Sequence, residues 1–133
     1  KKEYERKRNK KDFSQFVYYL KRKGYIRVKN LEGTEGVLLT KKGVERVWKA
    51  RSRLTERQKR KDGKWQMIIF DIPEDRRKLR DVLRERLVSL DYEMLQQSVW
   101  VCPYDVLKET EEMLRMYSLD PYVKLFLIKE IEV

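Results

Sequence analysis

A short apolar run, Met67-Ile68-Ile69-Phe70, constrains the fold of this chain more than any other stretch of its sequence. Its length, with no polar residue inside it, predicts a strand buried on both faces. Asp71 follows, and then Ile72-Pro73, where the proline cannot donate to a sheet ladder. The sequence therefore predicts a buried strand over residues 65–72, with a carboxylate near the point where it emerges.

The residues after this strand continue with alternating helical and strand patterns. Apolar side chains recur at helical spacing over residues 75–90, and the preceding acidic residue Glu74 suits the positive end of a helix dipole. Further patterns predict strands near 93–95 and 97–102, a helix over 105–117 capped by Asp105, and a strand over 122–131. The resulting order, β-α-β-β-α-β, is that of the ferredoxin-like motif, so residues 64–133 are predicted to form an α+β domain of that kind.

The residues before position 64 follow the order helix, hairpin, helix, which is the back half of a winged helix-turn-helix. The first helix is predicted over residues 12–23, because four apolar side chains share one face: Phe13, Phe16, Val17 and Leu20. Gly24 suits its C-terminal end, and Thr40 can cap a second helix that we expect to reach Arg57. Residues 1–63 are thus predicted to be a partial winged helix-turn-helix with a basic linker helix. The helices expected before it are missing, which favours a truncated chain.

Charge points to the class of partner. The 133 residues carry 33 Lys and Arg against 22 Asp and Glu, a formal net charge of +11, and the basic residues cluster on predicted helix faces. This favours a polyanionic partner, and we expect nucleic acid, most simply duplex DNA. The chain has no His, which removes His-dependent triads and most zinc sites, and one cysteine, Cys102. A lone cysteine favours the reducing cytoplasm, and no apolar run is long enough to span a membrane.

Three groups of polar side chains are candidates for DNA contact. The opposite face of the first helix mixes residues that bind base edges with residues that bind phosphates, at successive turns: Lys11, Ser14, Gln15, Tyr18 and Arg22. The predicted wing adds two residues that would contact the backbone, Lys29 and Asn30. The helix after Asp71 adds four arginines: Arg76, Arg77, Arg80 and Arg84.

Two short segments carry a resemblance to known families. Residues 70–77, Phe-Asp-Ile-Pro-Glu-Asp-Arg-Arg, and residues 97–100, Gln-Ser-Val-Trp, resemble the CRISPR-associated Cas-two proteins. A winged helix joined to such a domain resembles the PaaX family, repressors of phenylacetate catabolism. The resemblance implies a ferredoxin-like homodimer with edge strands paired across the interface. In some Cas-two proteins the aspartate that matches Asp71 binds a divalent metal for phosphodiester cleavage. PaaX repressors carry a further C-terminal domain, whereas this sequence stops at Val133. The resemblance therefore gives no reason to expect an acyl-CoA effector site in these residues.

These observations predict a DNA-binding transcriptional regulator that dimerises through its Cas-two-like half. The apolar strand predicted over 122–131 supports a homodimer, because its edge would be an aggregation hazard if it were unpaired. One alternative is a Mg²⁺-dependent nuclease in which two copies of Asp71 meet across the dimer, since one carboxylate is a weak magnesium site. Another is a non-catalytic subunit that bridges DNA during CRISPR integration. We favour a structural role for Asp71, paired with Arg76 or Arg77, over a catalytic one.

Overall fold

The computed structural model describes residues 13, 15–31, 34–50 and 56–130. The helices are α1 (15–23), α2 (Lys41–Ala50), α3 (Arg77–Ser89) and α4 (Leu107–Met116). The strands are β1 (Ile26–Leu31), β2 (Thr34–Leu39), β3 (Trp65–Phe70), β4 (Glu93–Gln96), β5 (Val99–Cys102) and β6 (Val123–Glu130). Short 3-10 helices precede α3 and β6, at Glu74–Arg76 and Asp120–Tyr122. The α+β class is confirmed.

One curled sheet joins the two halves of the chain. Its strand order is β1-β2-β6-β3-β5-β4. Neighbouring strands are antiparallel except β2 and β6, which run parallel where Leu38 pairs with Lys129 and Leu39 with Glu130. The hairpin near the start of the chain therefore extends the sheet formed by residues after position 64.

Strand β3 lies in the middle of this sheet, and all six of its residues are buried, as its apolar run predicts. Successive side chains of a strand point to opposite faces, so Ile68 and Phe70 contribute to one core and Met67 and Ile69 to the other. The first core is completed by helices α3 and α4, through Leu83, Leu87, Met113 and Leu114. The second is completed by α1, α2 and the hairpin, through Phe13, Leu20, Ile26, Leu39 and Val47. The sheet thus separates two layers of helices.

The end of α1 shows why the chain reverses after position 23. Gly24 has φ +80°, a conformation that glycine adopts without strain. Its N–H donates to the carbonyl of Lys21 at 3.0 Å. The next N–H, that of Tyr25, donates to the carbonyl of Leu20, also at 3.0 Å. This pair of bonds satisfies carbonyls that a helix end leaves unpaired, so Gly24 ends α1 as predicted.

The start of α2 is fixed by Thr40. Its Oγ1 accepts a hydrogen bond from the N–H of Gly43 at 3.0 Å and its hydroxyl donates to the carbonyl of Gly24. The predicted cap is confirmed, and it also ties α2 to the end of α1. Gly43 lies so close to Tyr25 that a Cβ there would stand 2.4 Å from the Tyr25 carbonyl oxygen.

Two predictions about helix ends are wrong. Helix α2 ends at Ala50, and residues 56–58 are not helical, so the helix does not reach Arg57. Instead Arg60 N–H donates to the Pro103 carbonyl at 2.9 Å, which holds the linker beside the end of β5. Asp105 does not cap α4, which begins at Leu107. Its carboxylate lies 3.3 Å from the guanidinium of Arg60.

The remaining boundaries differ by one or two residues from those predicted. Strand β3 ends at Phe70, before Asp71, and α3 begins only after the 3-10 turn over Glu74–Arg76. Ile131, the predicted end of the last strand, lies outside the described residues. None of the helices described is long and apolar enough to cross a membrane.

Candidate nucleic-acid interface

The polar face of α1 is open to solvent. Its apolar side packs on the sheet, which leaves Gln15, Tyr18 and Arg22 exposed, with 61% of Tyr18 accessible. Two other candidates on this face, Lys11 and Ser14, lie outside the described residues. The arrangement can present an amide, a phenol and a guanidinium to a nucleic-acid groove, which are the groups that read base edges and bind phosphates.

Cations lie over exposed aromatic rings at the same end of α1. The Arg22 guanidinium carbon lies 5.9 Å from the centroid of the Tyr18 ring, and Lys23 Nζ lies 5.4 Å from that of Tyr19. Arg22 has no carboxylate partner among the residues that the structure describes. Its charge therefore remains available to a phosphate.

Helix α2 adds cations that sequence reasoning did not select. Lys42 Nζ and the Arg46 guanidinium carbon lie 5.7 and 5.9 Å from the centroid of the Tyr25 ring, just beyond the end of α1. Both are exposed, and their spacing of four residues places them on one helix face. The four-residue spacing could be read from the sequence. Only the structure, however, shows that both cations lie over the Tyr25 ring beside the end of α1. We call the resulting surface the α1–α2 cationic surface: Lys21, Arg22, Lys23, Lys41, Lys42 and Arg46.

The wing candidates lie on β1, at the edge of the sheet. Lys29 is exposed, and it pairs in register with Gly36 of β2. Asn30 also belongs to β1, but its side chain lies outside the described set. The hairpin directly follows α1 in the chain, so Lys29 is close to that helix in sequence.

Two of the four arginines of the Cas-two-like half have partners within the chain. The Arg76 guanidinium carbon lies 5.7 Å from the centroid of the Tyr122 ring. Arg80 is 3.4 Å from the carboxylate of Glu74, and its Nε is buried. Arg84 is half-buried, with its Nε buried and unpaired within the described part of the chain. Arg77 is exposed.

The structure does not bring the two groups of candidates together. Helix α1 packs on the side of the sheet that Met67 and Ile69 face, whereas α3, which carries three of the arginines, packs on the side that Ile68 and Phe70 face. The polar face of α1 and the arginines of α3 therefore lie on opposite sides of the sheet.

Two arginines of the basic linker are engaged with carboxylates. Arg57 lies 2.9 Å from Asp91 and 3.5 Å from Glu109. Arg60 pairs with Asp62 at 2.9 Å, and the hydrogen bond from its guanidinium lowers the pKa of that exposed carboxyl to about 2. These contacts strap the linker to the α3–α4 side, so its charge is partly neutralised within the chain.

Asp71 lies half-buried just after β3. Its backbone N–H donates to the carbonyl of Tyr122 at 2.9 Å, which fixes the chain where the central strand ends. The nearby carboxylates of Glu74 and Asp75 are exposed. Among the described residues no three His, Cys, Asp or Glu side chains form a group that could hold a metal ion. Pairing of Asp71 with Arg76 or Arg77, or with a second Asp71, remains a prediction.

Comparison with known proteins adds one finding. The family described as "PaaX protein central Cas2-like domain" matches residues 58–132, more than half of the chain. The match covers the end of the linker, strands β3 to β6 and the two helices between them. No curated protein matches the chain.

Proposed function

Since the chain belongs to the PaaX family, we propose that it is a DNA-binding transcriptional regulator that acts in the cytoplasm, where bacterial and archaeal DNA lies. The observation that carries this proposal is the open polar face of α1, where Gln15 and Tyr18 are exposed beside the α1–α2 cationic surface to which Arg22 belongs. In the proposal α1 is the recognition helix of a partial winged helix-turn-helix. The β1–β2 hairpin is its wing, from which Lys29 contacts the backbone.

The second half, in this proposal, is a ferredoxin-like dimerisation domain. The strand order β6-β3-β5-β4, antiparallel throughout, supports that interpretation. A symmetric dimer would place two copies of α1 on one operator, and the half-site spacing would follow from the dimer geometry. Light scattering at micromolar concentration tests this point, and a monomer in the presence and absence of duplex would exclude dimerisation.

Binding to duplex DNA at several salt concentrations tests the main proposal. Each phosphate contact adds about 0.9 to the slope of log affinity against log salt. We expect a steep slope for the wild type, and weaker binding for Arg22→Ala because a phosphate or base contact is lost. Lys108→Ala is the matched control, since Lys108 is an exposed cation on α4, across the sheet from α1. A flat salt response, or equal losses in the two variants, would overturn the proposal.

The same preparation distinguishes the regulator from a nuclease. In a metal-dependent nuclease, Mg²⁺ would promote cleavage of duplex DNA or RNA, and Asp71→Asn would abolish cleavage while leaving DNA affinity level or higher. For the regulator we expect binding without Mg²⁺-dependent cleavage in both proteins. Cleavage that disappears in the Asn variant would replace our proposal with the nuclease.

A further inference from the structure

A groove between α4 and β6 has no role in the DNA-binding proposal. It encloses about 400 Å³, a volume within the range of small-molecule sites. Its walls are mainly aliphatic: Leu107 and Leu114 of α4 face Val123, Leu125 and Leu127 of β6. These β6 side chains alternate along the strand, so they share the sheet face that α4 covers incompletely.

The charge of the groove opposes that of the whole chain. Two ionisable side chains line it, Glu111 and Asp120, and both are acidic, although the chain carries a formal net charge of +11. Both are exposed, and neither side chain has a hydrogen-bond or ion-pair partner among the described residues. The groove therefore presents two exposed carboxylates beside an apolar wall.

A buried amide also contributes to the groove. Gln66 is fully buried, lines the groove and pairs in register with Leu127 on β6. Its Nε2 donates to the Tyr92 hydroxyl at 2.6 Å and lies 3.5 Å from Thr110 Oγ1. Thr110 in turn donates to the Val106 carbonyl at 2.7 Å. Gln66 Oε1 is left without a partner within the described chain, and an unpaired buried acceptor costs free energy.

We propose that this groove binds a small organic cation, a protonated primary amine on a short apolar body. An ammonium group offers three N–H donors and no acceptor, which suits a groove that presents two carboxylates beside a buried amide whose oxygen has no partner among the described residues. The aliphatic walls would cover the apolar body, and an anionic ligand of the same shape would be repelled by Glu111 and Asp120. The site lies outside the α1–α2 cationic surface and is independent of whether the chain binds DNA.

Calorimetric titration of the full chain with phenethylamine and with 2-phenylethanol tests the proposal. The two probes share one carbon skeleton and differ in charge. We expect phenethylamine to bind at least about tenfold more tightly, because hydrogen bonds to charged groups are the stronger ones. Equal affinity, or no binding of the amine, would overturn the proposal.

Two neighbouring glutamates provide a matched pair of variants. Glu111→Gln keeps the shape of a groove side chain and removes its charge, so we expect affinity for phenethylamine to fall by several-fold, roughly as for loss of one charged partner. Glu112→Gln makes the same change next to it, but Glu112 lines a separate hollow between α3 and α4, and affinity should be unchanged. Equal losses would mean that the amine responds only to overall charge, which overturns the site.

A filling variant tests the location without removing any charge. Leu127 is 39% exposed, so Leu127→Trp is accommodated without disturbing the buried core and occupies the groove. We expect it to weaken phenethylamine binding while the unfolding midpoint in urea stays close to that of the wild type. Undiminished amine binding by this folded variant would place the ligand elsewhere and overturn the proposal.

Discussion

Gly43 lies where the first turn of α2 approaches the backbone that follows α1. A Cβ at this position would stand 2.4 Å from the Tyr25 carbonyl oxygen and 2.8 Å from Leu39 Cδ1. Neither neighbour moves easily, because the carbonyl accepts the N–H of Thr40 at 3.0 Å and Leu39 is fully buried. We expect Gly43→Ala to lower the free energy of unfolding by about 1–3 kcal/mol or more in urea denaturation.

Gly63→Ala is the control for that substitution. Gly63 has φ +70° but nothing within 4 Å of an added Cβ, so only the backbone conformation is penalised, by roughly 1–2 kcal/mol. Gly43 does not have a positive φ, so its loss must come from contacts, and a smaller loss than that of the Gly63 variant would contradict this explanation.

Two buried groups lower the free energy of unfolding at alkaline pH. Burial raises the pKa of the Cys102 thiol from 9.0 to about 12 and also raises that of the Tyr92 hydroxyl. The folded state therefore keeps protons that the unfolded state loses, and the free energy of unfolding falls as pH rises above about 9. Urea denaturation over a pH series measures this fall. Cys102→Ala should make it shallower, and an unchanged slope would show that the thiol does not contribute.

At the scale of elements, Thr40 joins the end of α1 to the start of α2. Thr40→Val keeps the side-chain shape but removes both hydroxyl hydrogen bonds, to Gly43 N–H and to the Gly24 carbonyl. We expect a loss of about 1 kcal/mol in the free energy of unfolding, as for other helix caps. Thr40→Ser retains the hydroxyl and should retain most of the stability. If both variants lose equally, the methyl group rather than the cap is responsible.

Local sequence patterns correctly predicted the central strand and the helix ends that are determined by neighbouring residues. The run Met67 to Phe70 identified β3, and Gly24 and Thr40 identified the ends of the helices beside the hairpin. Residues 56 and 57 were predicted wrongly as helix, because the conformation of the described part of the linker depends on residues far away in the sequence. Arg60 binds Pro103 and Asp105, and Asp105 lies one residue before the cap position of α4, which Val106 occupies.

For the whole molecule, the candidate site was predicted in part. Helical periodicity identified the exposed face of α1, but Lys42 and Arg46 were missed because nothing in their own sequence places them beside Tyr25. The pairing of β2 with β6 was also beyond local reasoning, since it joins opposite ends of the described chain. That pairing and the two cores determine that α1 and α3 lie on opposite sides of the sheet.

This separation predicts different effects for two substitutions that change net charge equally. Arg22→Glu reverses a charge on the proposed recognition helix, so affinity for a short duplex should fall and the salt slope should decrease by about 0.9 per lost phosphate contact. Arg84→Glu reverses one on α3, across the sheet, and should change both quantities less. Fluorescence anisotropy over a range of salt concentrations measures both. Equal losses would mean that the duplex also reaches α3, either by bending or by contacting two protomers at once.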